Sequence, residues 1–508
     1  MDIVITKGYR RVRIFLTGFM VALIMFGTTV QGSTVVADSG IAAQSLKNCK
    51  TDLRHLNQVV GWQVKWPRQW QNTISAGADT ASEAILTWSQ TPSALKLAME
   101  TLRLGITSEE TAPYAIVIRV KQQVHDLLSE LTMANSKYTF NNIEHKNAAQ
   151  WNSLIRDEIV PAVSMFETFL HKEYLPEANK APGLSKLSGG SNCFFEAVEW
   201  WTTLNPSLNE IEKIGRRFIN ESHAQLIATG KKGDSVESML TALRTKIQND
   251  QTNAKELVAI SEMALARAHD KTLLSFSKRT TKEIIVSEMP KYLQASAPAG
   301  YYGRSQSNTP ARYILNPSRP NERRLMAEVI AFHEGMPGHH LWSSYPRKEP
   351  SSGYNSGILE GWALYSEYLA DEMDLYSTTY DRQGMITKHL WAASRLIVEP
   401  GLHLRGWSRE DAIHFMIENT VMSRTEIEIE VDRYIAMPGQ SLSYILGADL
   451  ILSERKRARD ILGNVFDISE FHDVILESGV RPLPQVRKDI RAWVQVTKEA
   501  SEQTGRIR

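Results

Sequence analysis

Apolar residues recur at helical spacing along most of the chain. In residues 114–133 they fall three and four positions apart, so that they form one stripe on a helix. Residues 152–170 and 235–269 repeat this pattern between polar breaks. We therefore predict a mostly α-helical protein, in which residues 38–508 form a single large helical domain with few short strands.

The helical pattern is interrupted in residues 287–320, which are rich in Pro, Gly, Ser and Tyr. Within this stretch, residues 313–315 are typical of a short strand. Two amphipathic helices are predicted directly after it, one at 321–335 with Asn321 as its cap and one at 356–373. Irregular segments that carry many aromatic residues often line clefts, although ordered surface coil fits this stretch equally well. Because of the segment that follows directly, we expect a cleft beside these two helices.

The charge balance argues against a nucleic-acid partner. The 508 residues carry 58 basic and 57 acidic side chains, which gives a formal net charge of +1. A chain this close to neutrality has no strong attraction to nucleic acid or to anionic membranes. We predict neither as a partner.

The first 37 residues are typical of a secretory signal peptide. Basic residues at 7–13 precede an apolar run at 14–30, and residues 35–37 offer a cleavage site. Cleavage after Gly32 and an uncleaved membrane anchor are the alternatives. We predict a periplasmic or secreted protein that has no membrane contact after cleavage. In that compartment Cys49 and Cys193 can form a disulfide, although two separate thiols fit the sequence equally well.

Three of the chain's 13 histidines lie within eight residues. His333 and Glu334 are followed by His339 and His340, and Pro337 stands where an HExxH zinc motif has its second histidine. Histidines beside a glutamate, with further acids downstream, are the chemistry of a zinc hydrolase. The motif is therefore an altered zinc motif, and its geometry needs an explanation.

A straight helix cannot join His333 to either of the later histidines. His339 would face the wrong side, and His340 would lie roughly 10 Å further along the axis. Pro337 cannot donate to the carbonyl of His333, and Gly338 accepts backbone angles that other residues avoid. We predict that the helix breaks at Pro337 and Gly338, and that the break brings His339 or His340 back towards His333.

Glu360 is a candidate for a third metal ligand. It follows His340 by 20 residues and lies on the second predicted helix, so that a helix-loop-helix turn can return its carboxylate to the metal. Three protein ligands leave one position open, which is typical of a catalytic zinc site. Glu367, on the same predicted helix, is interpreted as a solvent-facing acid.

Four blocks of sequence resemble one bacterial family. HEGMPGHHLW, LEGWALYSEYL, RLIVEPGLHLRGWS and EVDRYIAMPGQSLSYILG follow in the order of the family called "domain of unknown function 885", which resembles helical zinc metallopeptidases. The resemblance is clear over residues 287–484 and implies a zincin-like metallopeptidase architecture with an active-site cleft. Its HExxPGH pattern implies that His333, His339 and Glu360 bind Zn²⁺ and that Glu334 is the general base.

The later blocks match the family at a further set of positions, which are Arg395, His403, Arg433, Tyr434, Gln440 and Tyr444. Tyr434 and His403 are the expected catalytic donors to a developing oxyanion. Arg433 is expected to anchor a substrate carboxylate through paired hydrogen bonds, although Arg433 and Tyr434 would also suit a turn. Gln440 and Tyr444 are expected to bind substrate.

The resemblance implies an exported zinc-dependent hydrolase, with a peptide bond as the expected target. Glu334 would take a proton from the attacking water. A terminal carboxylate bound by Arg433 would add a carboxypeptidase-like preference. Two alternatives remain: a zinc hydrolase of small non-peptide amides or esters, and a non-catalytic periplasmic binding protein with a degenerate site. The chain departs from the family at Glu399 and Pro400, where Asp and Thr are more common.

Overall fold

Helices make up most of the chain, as the apolar spacing predicts. The computed structural model describes residues 49, 55–272, 275–278, 282–294, 297–305, 310–347 and 353–503. The prediction of a mostly helical single domain with few strands is confirmed. The predicted signal peptide, residues 1–37, lies outside the described residues.

The regular elements of the first part of the described chain are helices. Its α-helices are α1 (Trp62–Ala76), α2 (Ala81–Trp88), α3 (Thr91–Thr107), α4 (Tyr114–Leu131), α5 (Lys146–Ser153), α6 (Val160–Phe169), α7 (Gly190–Thr202), α8 (Leu208–Ala228), α9 (Val236–Gln248) and α10 (Ala254–Thr272). The predicted helical region 235–269 thus forms two helices, α9 and α10. The side chain of Asn253 caps the start of α10, because it accepts a hydrogen bond from the backbone N–H of Glu256 at 3.1 Å.

The second part combines a small sheet with the longest helix. Its elements are β1 (Ile284–Glu288), α11 (Lys291–Gln294), β2 (Gly300–Gly303), β3 (Ala311–Leu315), α12 (Pro320–Arg323), α13 (Ala327–Glu334), α14 (His339–Ser344), α15 (Ser356–Glu372), α16 (Thr379–His403), α17 (Arg409–Asn419), α18 (Arg424–Ala436), α19 (Ser443–Leu462), α20 (Ile468–Leu476) and α21 (Leu483–Gln503). Short 3₁₀ turns at Arg324–Met326 and Gln440–Leu442 adjoin the elements of the site described below.

The predicted helix at 321–335 is divided into three pieces. Helix α12 starts at Pro320 and not after an Asn321 cap, and the 3₁₀ turn Arg324–Met326 separates it from α13. Proline suits a first helical turn because its missing N–H has no intrahelical partner there. The predicted helix at 356–373 agrees closely with α15, whose cap is Asn355, accepting from the backbone N–H of Ile358 at 3.1 Å.

The three strands form a sheet in the order β1-β3-β2. Strand β1 runs parallel to β3, and β2 runs antiparallel to β3 with Tyr302 opposite Tyr313. In β3, Ala311, Tyr313 and Leu315 alternate into the core, as expected for a half-buried strand. The short strand predicted at 313–315 is therefore present and slightly longer, and it holds β2 beside α13.

Helix α15 packs closely along α19 because glycines meet at the crossing. A Cβ atom on Gly447 would lie 1.9 Å from the carbonyl oxygen of Gly357, and one on Gly361 would lie 2.5 Å from the Cα of Gly447. The backbones therefore approach to a distance that larger residues exclude. This contact fixes the position of Glu360, which lies between the two glycines of α15.

Helix α16 joins the two parts of the hydrophobic core. Its Leu390 and Leu396 lie in the cluster that includes α7–α10, α13–α15 and α19–α21, whereas Val398 and Leu402 lie in the cluster that includes α1–α6, α17 and α18. All four side chains are buried. Because both clusters pack on this helix, residues that α16 presents to a neighbouring cleft are held rigidly.

Cys49 and Cys193 form a disulfide that spans 144 residues of sequence. Of the two arrangements that fit the sequence, the structure therefore has the paired one. Within the described part of the chain no single helix is long and apolar enough to cross a membrane, although Arg424–Ala436 and Gln440–Val465, bent by 111°, pass the same test as a pair.

Candidate metal centre

The chain reverses between His333 and His339 because the helix breaks. Helix α13 ends at Glu334 and α14 begins at His339. The backbone N–H of Gly338 donates to the carbonyl of Phe332 at 3.0 Å, and a Cβ at this position would lie 1.9 Å from the carbonyl oxygen of His333. Only glycine can approach the end of α13 so closely. The break predicted at Pro337 and Gly338 is present and starts slightly earlier.

This reversal brings His333 and His339 to Glu360. The Nε2 atoms of His333 and His339 each lie 3.4 Å from Oε2 of Glu360. One ligand atom from each of the three residues falls within 4.8 Å of the other two. The two imidazole rings are nearly perpendicular, at 88°, with centroids 4.9 Å apart. Three potential metal ligands therefore point at one small volume.

The three residues fit a zinc ion. Two ligands held tetrahedrally at about 2.1 Å from one metal are separated by about 3.4 Å, which is the distance of each histidine Nε2 from Oε2 of Glu360. Among the described residues, the buried Oε2 atom of Glu360 has no hydrogen-bond partner, as expected for an oxygen that binds a cation. Burial alone would raise the pKa of Glu360, but the neighbouring His339 and His333 hold it well below its usual value.

His340 points away from this cluster. Its Nε2 lies 2.8 Å from the carbonyl oxygen of Lys282, so Nε2 donates there, and Nδ1 accepts from the hydroxyl of Tyr302 at 3.3 Å. Both ring nitrogens of His340 therefore have hydrogen-bond partners in or next to the sheet. Of the two histidines that follow the break, the structure brings His339 and not His340 to the candidate metal centre.

Glu367 contacts His333 at Nδ1, the ring nitrogen that does not face Glu360, and the sequence interpretation missed this contact. It is fully buried, and Oε1 lies 2.6 Å from Nδ1 of His333 and 2.5 Å from Nζ of Lys388, while His389 Nε2 lies 3.0 Å from Oε2. The prediction of a solvent-facing acid is wrong. A proton on Nδ1 of His333 leaves its Nε2 free to bind a metal. Glu367 follows Glu360 by seven residues, two helical turns, and this spacing was the available signal.

Lys388 and the two histidines also explain the charge of Glu367. Burial alone would raise the pKa of Glu367, but the positive charge of Lys388 and the hydrogen bonds from His333 and His389 hold it well below its usual value. Glu367 is therefore a buried carboxylate with a partner for each oxygen. A buried polar network in which every group has a partner is rigid. Removing any one partner is costly, because it leaves a charge without a partner in the apolar interior.

The three candidate ligands open on a cleft of about 390 Å³. Glu334, 7% exposed, lines it next to His333. Strand β2 forms one edge, so the aromatic stretch predicted to line a cleft does so through this strand. The remaining polar and aromatic lining residues are Tyr301, Tyr302, Arg304, Ser343, Tyr354, Lys388, Trp391, Arg395, Glu430, Arg433, Gln440 and Tyr444.

Arg433, Gln440 and Tyr444, which were predicted to bind substrate, line the cleft. The ring of Tyr444 stacks on that of His333, with centroids 6.0 Å apart and an angle of 17°. Arg433 is already paired, however, because its Nη2 donates to Glu430 at 2.7 Å and its Nη1 to Gln440 at 2.5 Å. Arg433 therefore has little capacity left for the substrate carboxylate that it was predicted to bind.

Tyr434 and His403 do not reach the cleft, contrary to their predicted catalytic roles. Tyr434 is fully buried, and its hydroxyl accepts hydrogen bonds from Nε1 of Trp391 at 2.9 Å and Nε of Arg395 at 3.1 Å. His403 is also fully buried and donates from Nε2 to the carbonyl of Tyr434 at 3.1 Å, and burial lowers its pKa to about 4. Both side chains instead position neighbouring residues, including the ones on the cleft wall.

Glu399, one of the two departures from the family pattern, holds the loop that presents Gln440. Its Oε2 accepts from the backbone N–H of Gly439 at 2.5 Å, and its Oε1 accepts from the hydroxyl of Ser441 at 2.6 Å. Burial raises the pKa of Glu399 to about 7, against the opposing effect of these hydrogen bonds. The residue therefore has a local structural function at this position.

Comparison with known proteins places the chain in a family without an assigned activity. The family described as "Bacterial protein of unknown function (DUF885)" matches residues 30–490. A crystal structure of a "putative lipoprotein" from Colwellia psychrerythraea is similar, with a TM-score of 0.76 and 23% identity over 87% of this chain and 81% of that one. A "putative lipoprotein of unknown function" from Shewanella oneidensis has a TM-score of 0.60 and 15% identity, covering 84% of each chain. A comparison with curated proteins gives no match.

Proposed function

We propose, from the premise that this chain belongs to the family of bacterial proteins of unknown function called DUF885, that it is an exported zinc-dependent hydrolase of peptide bonds. The observation that carries the proposal is the meeting of His333, His339 and Glu360 at one point of a cleft that Glu334 also lines. Two histidines and a carboxylate are the ligand set of zinc peptidases, and the glutamate next to the first histidine is their general base.

The chain's own residues supply the remaining chemistry. A zinc ion held at this centre would act as a Lewis acid towards a carbonyl oxygen and lower the pKa of water. Glu334 accepts a proton from the attacking water and returns it to the leaving nitrogen. Glu367 holds the Nδ1 proton of His333, so that Nε2 keeps its lone pair for the metal. Tyr444, stacked on His333, replaces Tyr434 as the expected donor to the developing oxyanion.

Export is proposed on three grounds. The N-terminal residues are typical of a signal peptide. The Cys49–Cys193 disulfide suits an oxidising compartment such as the periplasm. The two similar structures belong to proteins described as putative lipoproteins, which are envelope proteins. We propose a peptide or another small amide or ester as the partner, and neither nucleic acid nor membrane after signal cleavage.

To test this function, the purified mature protein is mixed with a panel of short peptides and matched esters, and the hydrolysis of each compound is measured. We expect peptide cleavage that a chelator abolishes and added Zn²⁺ restores, because in the proposed mechanism the bound zinc polarises the carbonyl and activates the water. Turnover of esters or non-peptide amides alone would favour the first alternative. Binding of peptides without any turnover by the zinc-loaded protein would favour the binding-protein alternative.

A further inference from the structure

Arg395 is a buried arginine that lines the cleft. It lies on α16 one turn after Trp391 and is 3% exposed. Its Nε donates to the hydroxyl of Tyr434 at 3.1 Å, and its Nη2 lies 3.6 Å from Glu430, too far for a hydrogen bond. Among the described residues, neither Nη1 nor Nη2 of Arg395 has a hydrogen-bond acceptor.

Such a group points to a ligand. Buried charged donors in proteins are nearly always paired, because leaving them without an acceptor is costly. Arg395 lines the cleft, so a molecule that enters the cleft can reach its guanidinium group. An acceptor that enters the cleft would therefore complete the hydrogen bonds of Arg395.

The guanidinium group is also held in one orientation. Its central carbon lies 4.2 Å from the ring centroid of Trp391 and 4.7 Å from that of Tyr444. The bond from Nε to Tyr434 fixes the third direction. A planar fork fixed in this way matches the two oxygens of a carboxylate and loses little entropy on binding it.

The wall of the cleft formed by Arg395, Arg433 and Glu430 carries a net positive charge of one. Arg395 and Arg433 share a single carboxylate, that of Glu430. Arg433 takes most of its hydrogen bonds, so Arg395 carries the uncompensated positive charge. Tyr434 and Tyr444, whose rings lie next to the guanidinium group, are neutral phenols. The wall therefore favours a ligand with a single negative charge.

The position of Arg395 relative to the metal centre limits the size of the ligand. Tyr444 is in contact with both, with its ring 6.0 Å from that of His333 and 4.7 Å from the Arg395 guanidinium carbon. An extended residue spans about 3.5 Å. One or two residues are therefore enough to reach from a carbonyl at the metal centre to Arg395.

We propose that Arg395 binds the free carboxylate of a peptide's C-terminus, so that the protein releases one or two residues from that end. The inference rests on the proposed hydrolase function and moves the carboxylate site from Arg433, where the sequence predicted it, to Arg395. Tyr434 is then a positioning residue, because it holds both Arg395 and Trp391.

Substrate comparison tests this proposal without any mutation. Paired peptides that differ only in a free or an amidated C-terminus are compared by kcat/KM. We expect the free form to be preferred by about 10- to 100-fold, the effect of losing hydrogen bonds to a charged group. Equal rates for the two forms would overturn the role of Arg395 and leave the hydrolase function intact.

Variants assign the preference to one residue. In Arg395→Gln we expect the preference for the free C-terminus to fall at least about tenfold. Arg382→Gln is the matched control, because Arg382 lies on the same helix but pairs with Asp371. An undiminished preference in a folded, zinc-containing Arg395→Gln protein would overturn the proposal.

A binding measurement separates this inference from the function itself. Calorimetric titration of the zinc-loaded protein with N-acetyl-leucine and with its amide requires no turnover. Tighter binding of the acid, lost in Arg395→Gln, supports the carboxylate site even where no substrate is cleaved. Equal binding of acid and amide by the unmodified protein contradicts it.

Discussion

Replacing Glu334 by glutamine is expected to lower kcat by at least about 100-fold, the usual contribution of a general base, while the protein keeps its zinc. Glutamine has nearly the same shape but cannot accept a proton from water. Glu334 lines the cleft beside His333 but is not one of the three residues that meet at the metal centre. The measurement is kcat for a cleaved peptide together with the zinc content of the same preparation.

Glu372→Gln is the matched control for this experiment. Glu372 lies at the end of α15, is half-exposed and pairs with Arg455, so the same chemical change there should leave kcat unchanged. Near-normal turnover in Glu334→Gln would remove Glu334 from the proposed mechanism. Loss of zinc in this variant would show instead that Glu334 acts as a ligand.

Replacing Glu367 by alanine is expected to destabilise the protein by about 3–5 kcal/mol, the usual cost of leaving a buried charge without its partner. The change removes the acceptor shared by Lys388, His389 and His333. It also releases the ring of His333, so zinc affinity should fall by about 10- to 100-fold. Denaturant unfolding in the presence of chelator measures the first effect without the contribution of bound zinc, and competition with a zinc indicator measures the second.

Asp371→Asn serves as the control on the same helix. Asp371 pairs with the partly exposed Arg382, and a pair of this kind contributes at most about 1 kcal/mol. If Glu367→Ala unfolded at the same denaturant concentration as Asp371→Asn and bound zinc normally, the buried network would not support the metal centre.

Local signals in the sequence were sufficient to predict most of the helices and the helix break between His333 and His339. Pro337 and Gly338 restrict the backbone through their own chemistry, and the apolar stripe of α15 places Glu360 without knowledge of distant segments. The division of the helix predicted at 321–335 was missed, because a proline at its first turn and a following 3₁₀ turn do not disturb the apolar spacing.

The side chains around the centre were harder to predict, because their partners come from other helices. Tyr434 has the polar group expected of a catalytic donor, but the packing of α18 against α16 turns its hydroxyl to Trp391 and Arg395. In the same way, Glu430 and Gln440 occupy Arg433. Nothing in the local sequence of these residues specifies such pairings, which depend on the tertiary fold.

Metal analysis of the purified protein tests the central claim most directly. We predict about one zinc per chain in the unmodified protein, as expected for a site with three protein ligands, and loss of most of it in His339→Ala. His340→Ala is the control, because His340 bonds to Lys282 and Tyr302 and should not affect zinc content. A protein without bound transition metal, or full zinc retention in His339→Ala, would contradict the assignment of His333, His339 and Glu360 as a zinc centre.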